Sequence, residues 1–187
     1  ARFTKSGMNM LSPIDANYED RRRLVSIDAS TKSTGIAVWD NALLIDHETI
    51  NAEDLGQMDN RFPYMAKALL SVLTEQQPDI VYIEEAVVVR NAQTQRFLVR
   101  LQGVVYGWCL QHNCRFEAIR PTAWRKQLGF KQGRNVGRQD LKTQAVEYVQ
   151  EQYPDLKDLS EDEYEAICIG VAAFKILQDE KEQNHEQ

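Results

Sequence analysis

Two β-prone runs around a small-residue turn constrain this fold more than any other part of the sequence. The first run, Leu24 to Ile27, ends on Asp28, and the second, Ile36 to Trp39, follows a turn that leads into Gly35. A near-continuous apolar strand is typical of the buried centre of a sheet. A carboxylate at its tip must be paired, exposed or bound to a metal, because burying it alone is costly. We interpret Asp28 as a metal ligand.

The remaining periodicities predict a mixed α/β domain over residues 22–178, with a flexible arm at 1–21 and a polar tail at 179–187. A third strand completes an antiparallel meander, and two further strands alternate with helices, so we expect a mixed five-stranded sheet flanked by helices. The predicted elements after the first two strands are a strand at Leu43 to Ile50, a helix over Phe62 to Leu73, strands at Ile80 to Ile83 and Arg115 to Ile119, and helices at 92–112, 121–128, 140–153 and from about Ser160.

Three more acids are candidates for the same site as Asp28. Glu84 follows the fourth strand, and the strand period places it on the face of Ile80 and Tyr82, opposite Glu85. Asp162 and Glu165 are three residues apart and share one face of the last helix. The simplest alternative is that acids in a first turn only complement the helix dipole. Ser160 and Glu163 have capping-box spacing, so we expect Glu163 to cap this helix.

The charge is distributed unevenly. The chain carries a net charge of −6, yet the stretch from Arg90 to Lys142 holds eleven Lys or Arg residues and only the acids Glu117 and Asp140. A basic segment inside an acidic protein is typical of a localised polyanion-binding surface. A solvated helix face is the alternative explanation for the same charges.

The composition excludes several classes of protein. No apolar run reaches the roughly 18 residues of a membrane helix, and no signal-peptide pattern is present. Three cysteines, Cys109, Cys114 and Cys168, are odd in number and lack zinc-site spacing. This usage favours a reducing intracellular compartment.

Converging carboxylates repel one another and are stable mainly when divalent cations neutralise them. Oxygen ligands without His or Cys favour Mg²⁺, with Mn²⁺ as a substitute. Together with the basic segment, they predict two-metal hydrolysis of a phosphodiester.

Several motifs, in order, resemble the RuvC-type Holliday junction resolvases of the RNase H-like superfamily. Ile27-Asp28-Ala29-Ser30 with Thr34-Gly35 is similar to the strand turn of that family, and Tyr82-Ile83-Glu84-Glu85 to its second acidic strand end. Leu101-Gln102-Gly103-Val104 resembles the helix that follows, and Asp162-Glu163-Tyr164-Glu165-Ala166 stands where the family has D-x-x-D-A. Glu165 departs from the pattern, because the family more often has Asp there.

The resemblance implies an RNase H-like fold and a Mg²⁺-dependent endonuclease with two ions per active site, held by Asp28, Glu84, Asp162 and Glu165. It also implies 5′-phosphate and 3′-hydroxyl products, a four-way DNA junction as partner and a homodimer that makes paired nicks. The helix from Phe97 to Trp108, with Gly103 and Gly107, is our candidate interface, and packing of this helix on the sheet is its alternative role. Residues 87–89 stand where the family places a junction-wedging residue, but they lack the aromatic found in some members, and core packing is their alternative role. The predicted DNA-binding residues are Arg90, Arg96, Arg125, Lys126, Lys131, Arg134, Arg138 and Lys142.

Three alternatives remain open on sequence grounds. Another RNase H-like nuclease, acting on branched DNA or an RNA–DNA hybrid, would share the fold and metal site. An actin-like nucleotide-binding protein also begins with a strand, an acid and a small-residue turn. Such a protein usually has Gly two residues after the Asp, where this chain has Ser30. A junction-binding protein without catalytic activity is the third alternative.

Overall fold

The computed structural model of the protein describes residues 22–87 and 91–185. The predicted arm at residues 1–21 therefore lies outside the described residues. The elements in chain order are β1 Arg23–Ala29, β2 Ser33–Asp40, β3 Leu43–Asn51, a 3₁₀ turn Glu53–Leu55, α1 Met58–Gln76, β4 Ile80–Glu84, α2 Ala92–Gln111, β5 Arg115–Ile119, α3 Pro121–Gln127, α4 Arg138–Gln152 and α5 Glu161–His185. This order matches the predicted one, and most boundaries agree to within two residues.

The five strands form one mixed sheet in the order β3-β2-β1-β4-β5. β1, β2 and β3 pair antiparallel as a meander, whereas β4 runs parallel to β1 and β5 runs parallel to β4. Ile27 pairs with Ile83 in the parallel register, so Asp28 and Glu84 follow at the same edge of the sheet. The two strand-end acids predicted from sequence are therefore neighbours in the fold.

The alternation along β1 divides the core between the two faces of the sheet. Val25 and Ile27 are fully buried on the face covered by α1 and α2. Leu24 belongs to the other core, which packs against α5. Ser26, also on the α5 face, donates a hydrogen bond to the carbonyl oxygen of Ala166 at 2.8 Å and accepts one from Trp39 Nε1 at 3.0 Å. Asp28 follows Ser26 by two residues and therefore faces α5 as well.

The start of α5 is fixed by the predicted capping box. Ser160 N donates to Glu163 Oε2 at 3.0 Å, and Glu163 N donates to Ser160 Oγ at 3.1 Å. Glu163 also accepts from Thr49 Oγ1 at 2.8 Å, and its Oε1 lies 2.9 Å from His47 Nδ1. Burial alone would raise the pKa of Glu163, but these hydrogen bonds lower the pKa to about 2. The cap therefore also joins the helix start to β3.

The end of α5 differs from the sequence expectation, because the helix continues past Gln178 to His185. Leu177 is still buried in the α5 core. Beyond it, Arg115 of β5 pairs with Glu180 at 3.0 Å, and Gln127 of α3 donates to Asp179 at 3.2 Å. Tertiary partners therefore stabilise helical structure in a stretch that the sequence predicted only as a polar tail.

No helix among residues 22–87 and 91–185 is long and apolar enough to cross a membrane. The three cysteines are buried and form no disulfide in the described structure.

Candidate active site

Three of the four predicted metal ligands converge where α5 crosses the edge of the sheet. Asp28 at the end of β1 and Asp162 and Glu165 in the first turns of α5 each offer an oxygen, and these oxygens all lie within 4.8 Å of one another. Asp28 is only 6% exposed and Glu165 only 8%. The spacing is compatible with one cation bound by all three carboxylates.

A glycine allows α5 to approach this closely. Gly35 pairs with Asp28 across the β1–β2 ladder, and a Cβ atom at Gly35 would lie 1.9 Å from the backbone carbonyl oxygen of Asp162. No side chain fits in that space. The backbone of β2 is therefore part of the wall that places the helix acids over Asp28.

Glu84, the fourth predicted ligand, faces the same side but lies outside the group of three. Its Oε2 accepts a hydrogen bond from the buried indole of Trp124 at 2.8 Å. Glu84 is also the nearby charge with the largest effect on Asp28. Its neighbour Glu85 turns away and pairs with Arg120 at 3.1 Å. As the strand period predicts, only one of the two acids points into the site.

The site is strongly unfavourable to further negative charge. Burial raises the pKa of Asp28 well above its ordinary value, and the charge of Glu84 adds to that shift. Burial likewise raises the pKa of Asp162, opposed by a hydrogen bond from Ser33, and the pKa of Glu165, opposed by the charge of Arg125. A hard divalent cation would relieve this repulsion, and the all-carboxylate donor set fits Mg²⁺ or Mn²⁺.

The stability of the metal-free protein should fall as the pH rises through the range in which Glu84 loses its proton. Burial raises the pKa of Glu84 from 4.5 to about 7, although the Trp124 hydrogen bond opposes the shift. Between these two values the folded state keeps a proton that the unfolded state has lost. The proton therefore stabilises the fold below about pH 4.5, and that contribution is lost by about pH 7. We expect the loss to be on the order of 2 kcal/mol in urea unfolding with EDTA.

Glu84→Gln is the matched control for this pH dependence, because the amide oxygen can still accept the hydrogen bond from Trp124. This variant should lose stability less steeply than the wild type between pH 5 and pH 7. Equal slopes for the two proteins would contradict the assignment of the raised pKa to Glu84.

The basic residues predicted to bind DNA occupy three different environments. Lys126, Lys131, Arg134 and Arg138 are exposed on α3, on the loop at 128–137 and at the start of α4, and Arg96 is exposed on α2. Lys142 is only 17% exposed and pairs with Glu161 beside the acid cluster. Arg125 turns inward to Glu165. Arg90 lies outside the described residues.

Of the predicted wedge segment, only Val87 is described, and its side chain is 43% exposed.

Sequence reasoning missed the residues that surround the acids. Trp124 is fully buried and bonds Glu84, and Ser33 Oγ donates to Asp162. Arg125 was predicted as a DNA contact, but its Nη2 donates to Glu165 Oε1 at 3.3 Å. Trp124 immediately precedes the basic pair at 125 and 126, and this proximity was the one available signal. The Ser33–Asp162 contact joins residues 129 positions apart and leaves no local pattern.

Neither a family model nor a curated protein sequence matches the chain. Solved structures do match it. Thermus thermophilus RuvC aligns with a TM-score of 0.62 at 17% identity, and T. thermophilus RuvC in complex with a Holliday junction substrate aligns with 0.63 at 15%. Each alignment covers 84% of this chain and 96% of the RuvC chain.

The chain has the RuvC fold. The yeast mitochondrial Holliday junction resolvase Ydc2 also aligns, with a TM-score of 0.51 at 11% identity over 88% of this chain and 82% of Ydc2. These matches confirm the predicted RNase H-like α/β fold and agree with the resemblance seen in the motifs. At such identities the likeness is one of fold.

Proposed function

We propose that this protein is a metal-dependent endonuclease that resolves four-way DNA junctions. The observation that carries the proposal is the convergence of Asp28, Asp162 and Glu165 at one edge of a RuvC fold. Exposed basic residues on α3 and the loop before α4 would provide a surface for a polyanion. The RuvC neighbour bound to a Holliday junction makes a four-way junction the first substrate to test.

The four acids would divide the metal ligation between them. Asp28, Asp162 and Glu165 would hold one ion, and Asp28 and Glu84 would hold a second, with Trp124 fixing the orientation of Glu84. When bound, divalent ions lower the pKa of an attacking water and stabilise charge on the leaving oxygen, which yields 5′-phosphate and 3′-hydroxyl ends. Asp28 would be the one acid that contributes to both ion sites. We therefore assign it the bridging role.

Basic side chains would position the DNA backbone over these acids. Lys142 pairs with Glu161, the residue before Asp162, and its charge opposes the rise in the pKa of Asp162 and of Glu165. Arg138 acts in the same direction on Glu84 and Asp162. Both cations would meet a phosphate that approaches the acid cluster. The exposed side chains of Lys126, Lys131 and Arg134 would continue this positively charged surface away from the acids.

Paired nicks in a four-way junction require two active sites, and the outer face of α2 is our candidate dimer interface. The inner face of α2 packs on the sheet through Phe97 and Leu101. The outer face carries Val99 (52% exposed), Tyr106 (47%) and Leu110 (65%). A Cβ added at Gly103 or Gly107 on this face meets no atom within 4 Å. The helix therefore packs on the sheet with one face and presents an apolar stripe with the other, and C₂ pairing of two copies would cover that stripe.

Tyr106→Glu should weaken the dimer by about thirtyfold or more, because it places a charge in the centre of an apolar interface. Analytical ultracentrifugation over a concentration series measures the change. Tyr64→Glu on α1 is the matched control, since both tyrosines are 47% exposed. An unchanged dissociation constant for Tyr106→Glu would exclude this face as the interface.

A cleavage assay over five substrates tests the function. A synthetic four-way junction, a flap, a three-way junction, an RNA–DNA hybrid and a plain duplex are incubated with the protein in Mg²⁺, and in EDTA as a control. We expect two symmetric nicks in the four-way junction and little product from the duplex. Faster cleavage of the flap or the hybrid than of the four-way junction would indicate that the protein is a different RNase H-like nuclease. Tight junction binding without cleavage would indicate a junction-binding protein that has no catalytic activity.

A further inference from the structure

Arg125 is a nearly buried cation that already lies against the acid cluster. Its side chain is 16% exposed, and its Nη2 donates to Glu165 Oε1 at 3.3 Å. The guanidinium carbon lies 4.9 Å from the centre of the Trp124 ring. Its Nε is buried and finds no hydrogen-bond partner among the described residues. A buried guanidinium with an unsatisfied N–H is costly, so its attraction to the neighbouring carboxylate and to the Trp124 ring must offset that cost.

We propose that Arg125 is the counter-ion of the acid cluster in the metal-free protein, and that divalent ions displace its guanidinium from Glu165 when they bind. The inference rests on the metal site of the proposed function and not on the identity of the DNA substrate. Glu165 carries the argument, because it is both the acceptor for Arg125 and one of the three converging ligands. The guanidinium and a bound ion would compete for the same carboxylate.

The charge balance supports displacement over coexistence. Ionised Asp28, Glu84, Asp162 and Glu165 carry a charge of about −4, which a single guanidinium neutralises only in part. Two divalent ions would neutralise the four carboxylates completely. The Arg125 charge would then be in excess until a DNA phosphate arrived. The Arg125 guanidinium would therefore become available to a DNA phosphate only after metal ions have filled the site.

The local structure allows such an exchange. Arg125 belongs to the last turn of α3, a helix of seven residues. Trp124 is fully buried and anchors that helix in the core through its hydrogen bond to Glu84. The Arg125 side chain can therefore move without moving its backbone. Two consecutive residues therefore contact two different acids. Trp124 donates a neutral hydrogen bond to Glu84, and Arg125 forms an ion pair with Glu165.

This role predicts changes of opposite sign in two measurements of Arg125→Met. Without metal, the acids lose their counter-ion, and the melting temperature in EDTA should fall by about 5 °C. With metal, a competing cation is gone, and the Mn²⁺ affinity should rise on the order of tenfold. A merely structural Arg125 would lower both quantities, since a loosened site binds metal less well.

Titration calorimetry of the full chain with Mn²⁺ alone at pH 8, beside thermal unfolding in EDTA, gives both numbers without any DNA. Arg120→Met is the matched control. Arg120 starts the same helix as its N-cap, is 75% exposed and pairs with Glu85 outside the site. We expect its Mn²⁺ affinity to equal that of the wild type. If Arg125→Met fails to fold, Arg125→Lys, which keeps the charge but shortens the reach, should bind Mn²⁺ more tightly than the wild type by a smaller factor.

Each outcome decides a distinct point. Tighter Mn²⁺ binding together with a lower melting temperature supports the exchange. Unchanged or weaker Mn²⁺ binding by the Arg125 variant, with normal binding by the wild type, overturns the inference and leaves the proposed function intact. Absence of Mn²⁺ binding by the wild-type protein overturns the proposed metal site and this inference with it.

Discussion

Asp28→Asn should abolish junction cleavage while leaving junction binding intact. The substitution keeps the size of the side chain but removes the charge that would bridge two ions. Loss of about 4 kcal/mol of transition-state stabilisation corresponds to a rate about a thousandfold lower. Single-turnover cleavage in Mg²⁺ measures the rate, and gel-shift titration in EDTA measures binding. The metal-free variant should be at least as stable as the wild type, because a buried charge that repels its neighbours is gone.

Asp40→Asn provides the matched control. Asp40 is the last residue of β2, and Asp28 is the last but one of β1. Asp40, however, lies at the opposite edge of the sheet, where it pairs with Arg23 at 3.6 Å. Its substitution should leave cleavage within about twofold of the wild type, as expected for a half-exposed ion pair. Cleavage that survives Asp28→Asn would remove the metal mechanism. Equal losses in both variants would indicate an effect on folding instead.

Gly35→Ala should destabilise the protein by about 3 kcal/mol or more and should disrupt the site at the same time. Its methyl carbon would lie 1.9 Å from Asp162 O and 2.6 Å from Glu163 N, which are backbone atoms that cannot rotate away. The start of α5 would have to shift, and such overpacking is costly. Urea unfolding followed by circular dichroism measures the loss. Asp162 would move away from Asp28, so weaker Mn²⁺ binding should accompany it.

Gly137→Ala separates this clash from the general effect of replacing a glycine. At Gly137 an added Cβ meets only the side-chain Oδ2 of Asp140, at 3.3 Å. The expected cost is about 1 kcal/mol or less. A Gly35→Ala protein as stable as Gly137→Ala would show that α5 has more freedom above β2 than the packing indicates.

Local patterns were sufficient for most of the fold, because each element carries its own periodicity. The apolar runs at Leu24 to Ile27 and Ile80 to Ile83 predicted strands whose ends both carry acids, and the register of β1 with β4 places those ends side by side. The spacing of Ser160 and Glu163 predicted the cap that begins α5. The helix beyond Gln178 was not predictable, since its polar residues are held by Arg115 and Gln127 from other elements.

The acids of the site were predictable and their surroundings were not. Asp28, Asp162 and Glu165 occur at positions where a strand tip or a helix face restricts their direction. The direction of Arg125 is set by tertiary packing, since Trp124 fills the core and turns α3 so that the next side chain reaches Glu165. A sequence shows that a segment is basic. It does not show which of its cations points inward.

The hydrogen bond from Ser26 to Ala166 joins the two parts of the chain that supply the acids of the candidate site, and these parts are synthesised far apart in time. It joins residues 140 positions apart, two residues before Asp28 on β1 and one residue after Glu165 on α5. Chains are made from the amino terminus, so the meander of β1 to β3 leaves the ribosome long before α5 does. A nascent chain that lacks α5 contains Asp28 and Glu84 but neither helix acid. If the proposed function is correct, ribosome-bound chains should therefore be unable to cut DNA until Glu165 has left the ribosome.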